Sequence, residues 1–295
     1  MEKKKFHRIY LLLLFSVFFL HLPFLNADPD LHLSASRDAF TDEGLNTSQL
    51  RNFINRDSLD FWECDNLVKN PLFNAILFVP LKLFGTHLII ARITILIFIF
   101  CLMLLTTKNP YFRSITAIAA ITTLLQYYVF QYSHFSLSEM LSTAFILSGI
   151  YYLYLFIENK FQKNFQLVFA SVFLAASYYS KIQFIYIAPL IPAVILLLMA
   201  INKEFPTCPS LRHLIMSVGL MILLITVYTI FWYLPHREIF DYVLKEEASG
   251  KYAALSSMPK TIAFNITRVL FSSNTWIINS LFLSCFIAGC LFWKQ

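Results

Sequence analysis

The chain has 295 residues, of which 58% are hydrophobic and only 14% charged, with a formal net charge of +6. Soluble globular domains carry roughly 25% charged residues, so this composition excludes that class and specifies an integral membrane protein. It also excludes a nucleic-acid binder, because the basic residues are scattered singly through short polar breaks and form no stripe.

The N-terminus presents Lys3, Lys4, Lys5 and Arg8, followed by the uncharged run Ile9 to Leu25. Leu25-Asn26-Ala27 lacks the small residue expected two positions before a cleavage site, so the run is expected to stay as a first membrane helix. Lysine and arginine are retained on the cytoplasmic side, which puts the N-terminus inside and the next polar segment outside.

Residues 26–87 form that outer segment. It contains Thr41-Asp42-Glu43-Gly44, then Leu50, Phe53 and Ile54 at helical spacing beside Arg51, Asn52 and Asn55, the pattern of an amphipathic surface helix. A pair of acids there can supply a carboxylate for proton abstraction, or cap the following helix. The apolar run Pro71 to Phe84 is too short for a full crossing and is expected to lie in the interface, with Lys69 at its mouth at headgroup depth. The cluster Asp57, Asp60, Glu63 and Asp65 around Trp62 reads as a solvated turn.

Residues 88–234 are expected to form a transmembrane bundle, and residues 276–295 a last membrane helix after a second outer segment at 235–275. The expected spans are Ile9 to Leu25, Leu88 to Thr107, Ser114 to Tyr132, Met140 to Ile157, Phe165 to Ser180, Ile182 to Ile201, Leu214 to Leu234 and Trp276 to Trp293. The fold class is therefore all-α, with about eight transmembrane helices and outer-face interfacial helices. On this map Lys108, Arg113, Lys160, Lys163, Lys203 and Arg212 all face the cytoplasm. Every acidic residue but Glu2, Glu158 and Glu204 faces outward. Arg92, one turn into its helix, is expected to snorkel outward. Glu139 is the only acid of the short outer stretch Tyr132 to Glu139, and Lys181 marks a tight outer turn between two apolar runs. His134 with Glu139 is too few ligands for a metal site. The cysteines at 64, 101, 208, 285 and 290 include no CxxC pair, so no disulfide framework or zinc site is indicated.

Taken in order, these motifs resemble the GT-C glycosyltransferases. The carriers of the resemblance are an outer Asp42-Glu43-Gly44, Lys69 ahead of Pro71-Leu72, an interfacial helix ending Lys82-Leu83-Phe84-Gly85, Ala91-Arg92, the Tyr132-Ser133 to Glu139 stretch, and Ser180-Lys181. Within that superfamily the chain is similar to the branch of protein mannosyltransferases and the bacterial enzymes that add aminoarabinose or other sugars to lipopolysaccharide. It departs from that branch in having Asn70-Pro71 where a Pro-Pro is common, Val68 where an acid sometimes precedes the lysine, and His134 where an arginine is common. It also has fewer membrane helices than is usual, so it is expected to correspond to an N-terminal catalytic module, as a fragment or as a minimal version.

The resemblance implies an inverting transfer of a sugar from a polyprenyl phosphate to a glycolipid, polysaccharide or protein acceptor. It implies that Asp42 is the general base or substrate-orienting acid with Glu43 beside it, that Glu139 is the second acid of the site, and that Lys69 contacts the donor phosphate. Lys181 is a second candidate for that phosphate. No cofactor is assigned, and a divalent metal is left open. The expected setting is a bacterial inner membrane, with the site on its periplasmic or external face and no nucleic-acid partner. A flippase or transporter for lipid-linked saccharides and an inactive scaffold derived from the enzyme are the alternatives. A transporter would place ionisable residues near mid-bilayer, whereas these lie at helix ends.

Overall fold

A computed structural model of the chain describes residues 2–25, 41–63, 66–110, 112–114, 117–118, 120, 135–159, 163–185, 208–246 and 257–267. All regular structure among these residues is helical. The principal helices are α1 (Glu2–His21), α2 (Thr41–Arg56), α3 (Asn66–Lys69), α4 (Pro71–Phe84), α5 (Leu88–Thr106) and α6 (Ser138–Glu158). They continue as α7 (Asn164–Ser180), α8 (Cys208–Tyr228), α9 (Arg237–Glu246) and α10 (Met258–Thr267). A π-helical turn over Thr229–Tyr233 and a 3-10 turn over Leu234–His236 join α8 to α9.

Two compact units make up the chain, Met1–Phe240 and Asp241–Gln295. The second contains α10, which exposes Ile262, Phe264 and Ile266.

Among the described residues, four helical stretches are long and apolar enough to cross a membrane: His7–Phe24, Leu88–Thr106, Ser138–Glu158 and Ile215–Tyr242. They fit an integral membrane protein. Of the other expected spans, Phe165 to Ser180 forms the 17-residue α7, while Ser114 to Tyr132, Ile182 to Ile201 and Trp276 to Trp293 fall mostly or wholly outside the described residues. The outward faces are hydrocarbon, as lipid requires. Phe165, Val168, Phe169 and Val172 line one side of α7 in exposed positions, while Leu167, Ala170, Ser171 and Leu174 are buried on the other.

Helix directions define two ends of the bundle. At one end the last carbonyl after α1, from Leu25, accepts a hydrogen bond from Arg92 in the first turns of α5. At the other, Asn109 after α5 donates to Glu158 at the end of α6, and Arg113 lies over Tyr10 near the start of α1. The chain therefore leaves α1 and enters α5 at the same end. α4 sits between them in sequence, and its 14 residues measure about 21 Å, short of the roughly 30 Å hydrocarbon core. Pro71 opens α4 at a position where its missing N–H costs nothing. Gly85 ends it at φ 99°, a conformation that other residues resist.

The central core joins α4, α5 and α6 through Phe73, Leu77, Ala91, Ile95, Leu141 and Phe145, and α7 packs against it with Phe173 and Ala176. Helices in membranes gain little from apolar burial against lipid, so close backbone approach and interhelical hydrogen bonds carry the packing. Both occur here. Ser171 of α7 and Ser217 of α8 share a buried hydroxyl contact of 2.8 Å. Gly149 lets α6 meet α7 so closely that a Cβ there would lie 2.7 Å from Leu174 Cγ and 3.4 Å from the Ala170 carbonyl. Because Leu174 is fully buried, it has little room to yield. Gly149→Ala should cost about 1–3 kcal/mol by overpacking, and visibly less in a Leu174→Ala background. Thermal unfolding of the purified variants in detergent tests this, and strictly additive effects would contradict the contact.

Candidate functional site

Helix α2 carries the first of the candidate acids, and its inward face is polar. Glu43, Asn46, Thr47 and Gln49 are buried with Leu50, while Leu45 is exposed. Towards its C-terminus the pattern turns apolar, with Leu50 and Ile54 joining the central core and Phe53 stacking on Phe78 at 6.1 Å. Burying such a polar face demands partners for each group, and most are found on neighbouring segments. Gln49 donates to the Asp60 carbonyl at 3.0 Å and accepts from the Leu67 N–H at 2.8 Å.

Glu43 is fully buried and Arg92 is 4% exposed. Arg92 Nε donates to Glu43 Oε1 at 2.8 Å and Nη2 to Oε2 at 2.6 Å, a bidentate pairing that matches the planar guanidinium to the carboxylate. The remaining guanidinium nitrogen, Nη1, donates to the Leu25 carbonyl at 2.8 Å. Phe135 lies against the same guanidinium, 5.0 Å from its ring centre. Ser136 completes the cluster by donating its N–H at 2.9 Å and its hydroxyl at 2.7 Å to Glu43 Oε1. Four segments distant in sequence thus meet around one ion pair. The outward snorkelling expected of Arg92 does not occur, because a buried carboxylate that also accepts two hydrogen bonds from Ser136, together with the Leu25 carbonyl, offers it better partners than the headgroup region does.

Asp42 sits beside this cluster in the first turn of α2, and its side chain lies outside the described residues. Glu43 itself is closed to solvent and has donors on both oxygens, the setting of a positioning carboxylate. Three residues after Ser136, Glu139 in the first turn of α6 forms an ion pair with Lys181, the residue that follows α7. Ser138 also donates to Glu139 at 3.2 Å. This pair is open, with Glu139 45% exposed and Lys181 19%.

Lys69 is half-buried at the end of α3. Its neighbours place it near Lys181. Val68 and Ile182 belong to one apolar cluster, and the Asn70 amide, turned to the orientation that satisfies both its ends, donates to the Ser180 carbonyl at 3.2 Å. The Val68 carbonyl accepts from Trp232 Nε1 at 2.8 Å and from the Tyr228 hydroxyl at 3.2 Å, which ties α3 to the end of α8. Three buried polar atoms on the adjoining helices, Asn74 Oδ1, Ser142 Oγ and Ser180 Oγ, have no hydrogen-bond partner among the described residues.

The structure therefore brings Glu139 and Lys181 into contact, draws Lys69 to the same corner and seats Glu43 in a separate buried cluster. Sequence reasoning gave Arg92 only a snorkelling role and Ser136 no place in the site. An arginine inside an apolar run was the available signal for the first, since such residues mark functional positions by default. His134 lies outside the described residues, among which no group of three or more His, Cys, Asp or Glu is arranged to hold a metal. Comparison with protein families, curated proteins and solved structures returns no match for the chain.

A buried pair of this kind is far costlier to break than to replace as a whole. Arg92→Met should destabilise the protein by about 3–5 kcal/mol by leaving Glu43 charged and unpaired. Adding Glu43→Gln should recover a large part of that loss. Unfolding of the single and double variants in detergent measures both, and a double variant as unstable as the sum of the singles would refute the pairing.

Proposed function

We propose that the chain is a membrane glycosyltransferase of the GT-C type, transferring a sugar from a polyprenyl phosphate to an acceptor hydroxyl at the external face. The observation that carries this reading is the company Asp42 keeps. Asp42 lies in the first turn of a helix whose next residue is locked by a buried ion pair joining four segments, and the open Glu139–Lys181 pair stands beside that cluster. Sugar transfer of this kind needs a carboxylate at the acceptor, a cation at the departing phosphate and rigid positioning of both.

Asp42 takes the acceptor proton in this reading, with Glu43 holding its helix in place. Lys181 and Lys69 meet the charge of the departing polyprenyl phosphate, and Glu139 orients Lys181 until the donor binds. As the sugar carbon bonds to the acceptor oxygen, its bond to the phosphate oxygen breaks, and the leaving group departs as the polyprenyl phosphate anion. An attack from the opposite face inverts the anomeric centre. Placement on the external face is supported by charge, since Lys108, Arg113 and Lys163 belong to the opposite end of the bundle, the end expected to stay in the cytoplasm.

Both tests use membranes containing the protein and a labelled polyprenyl-phosphate sugar. Asp42→Asn should reduce transfer by about 10²-fold or more at matched protein level, the scale of a lost general base. Equal transfer by the two proteins would remove the assignment. Partly exposed ion pairs contribute about 0–1 kcal/mol to stability, so Lys181→Met should leave the unfolding temperature nearly unchanged while raising the KM for donor. An unchanged KM would exclude Lys181 from the phosphate.

A further inference from the structure

Two cavities meet beside residues 57–63. One, of about 540 Å³, is almost wholly apolar and opens between α2, α4 and the end of the α8 span, with Phe53, Ala75, Phe78 and Trp232 in its walls. The other, of about 330 Å³, is lined by Asp60, Trp62, His236 and Glu238. Leu59 and Phe61 line both, so the two adjoin at these side chains. Each lies in the range of about 300–1,000 Å³ typical of small-molecule sites.

Local structure builds this junction. The π-helical turn at Thr229–Tyr233 lies just before it, and Trp232 and His236 both pack on Phe61, with ring centres 6.3 and 4.6 Å away. The Trp232 carbonyl accepts from His236 Nδ1 at 2.8 Å, which leaves Nε2 of the neutral ring as an acceptor. In the apolar part, Asn74 donates from Nδ2 to the Asn70 carbonyl at 3.0 Å. That bond fixes the amide and leaves its buried Oδ1, which has no partner among the described residues, as an acceptor among hydrocarbon walls.

The linings specify an amphiphile. Hydrocarbon fits the apolar part, whereas the polar part offers an aromatic ring 57% exposed, two carboxylates and a histidine, with no lysine or arginine among the described residues of its wall. Carboxylates accept hydrogen bonds from hydroxyls and amines and repel phosphate, and an aromatic face packs against the C–H surface of a sugar ring. The donor phosphate therefore does not belong here. We propose that the composite cavity binds a lipid whose headgroup is an uncharged or amine-bearing saccharide, with one chain against Ala75 and Phe78 and the sugar between Trp62 and Glu238. Resting on the glycosyl-transfer reading, this lipid is the acceptor. Gln49 holds the Asp60 carbonyl from the same helix that carries Asp42 in its first turn, about 10 Å further along its axis.

The test reads binding without transfer. The full chain in nanodiscs is irradiated with a diglucosyl diacylglycerol bearing a photoreactive group on its acyl chain, and separately with a phosphatidylglycerol carrying the same chain. The glycolipid should label the peptide around Ala75 several-fold more than the phospholipid. Ala75→Trp, which fills the apolar part from an exposed position, and Trp62→Ala should each reduce glycolipid labelling by about tenfold, the effect of one lost aromatic or apolar contact. Asp60→Asn with Glu238→Gln should narrow the preference over phosphatidylglycerol. Equal labelling by both lipids, or labelling untouched by Ala75→Trp, would overturn the proposal even if sugar transfer is observed. Selective labelling in a protein that transfers no sugar would leave the lipid site standing and remove only its role as acceptor.

Discussion

The bidentate pairing of Glu43 with Arg92 is the constraint on which the rest of the site depends. Neither charge can be buried alone, and each is buried here only because the other is present with further hydrogen bonds around it. The Leu25 carbonyl and the Ser136 N–H and hydroxyl supply those bonds. The cluster therefore sets where α1 ends, how α2 lies across the bundle and where α6 begins. A fold whose spans are hydrocarbon on their outer faces has few other ways to specify how the ends of those spans meet.

Around this fixed point the remaining charges differ in character. Glu139 and Lys181 form a pair that is open to solvent and cheap to separate. Such a pair can exchange its internal partner for a ligand, which a closed pair cannot do without heavy loss. The contrast between a locked cluster and an exchangeable one beside it is the arrangement expected of a site that must hold a shape while accepting a charged substrate. Lys69 joins the same corner because Val68 and Asn70 on either side of it contact the surroundings of Lys181.

Much of the scaffold was legible in the chain. Uniformly apolar runs gave α1, α5, α6 and the α8 span, and the spacing of Leu50, Phe53 and Ile54 gave α2. The charges of the later basic loops, with its 14-residue length, argue against α4 as a crossing helix. The acids and lysines of the site could be picked out by type and position, but their roles could not. Glu43 and Asp42 are adjacent in sequence, and nothing local says that Glu43 is buried in an ion pair. The partnership of Glu43 with Arg92 spans 49 residues, and that with Ser136 spans 93, so both are products of tertiary packing. Arg92 looked like a snorkelling side chain because its own segment contains no carboxylate. The polar inward face of α2 escaped notice for a similar reason, since its partners lie on segments such as the Asp60 loop and α3.

The central claim is that this end of the bundle carries out a direct displacement at a sugar carbon, with a protein carboxylate taking the acceptor proton. The configuration of the product reports on that step more directly than any rate. The protein would be supplied with a polyprenyl-phosphate sugar of defined anomeric configuration, and the product's anomeric linkage read by NMR. The account predicts a single product with inverted configuration. Retention of configuration would contradict it by requiring a covalent intermediate, and no transfer to any lipid, glycan or protein acceptor would remove the enzyme assignment itself.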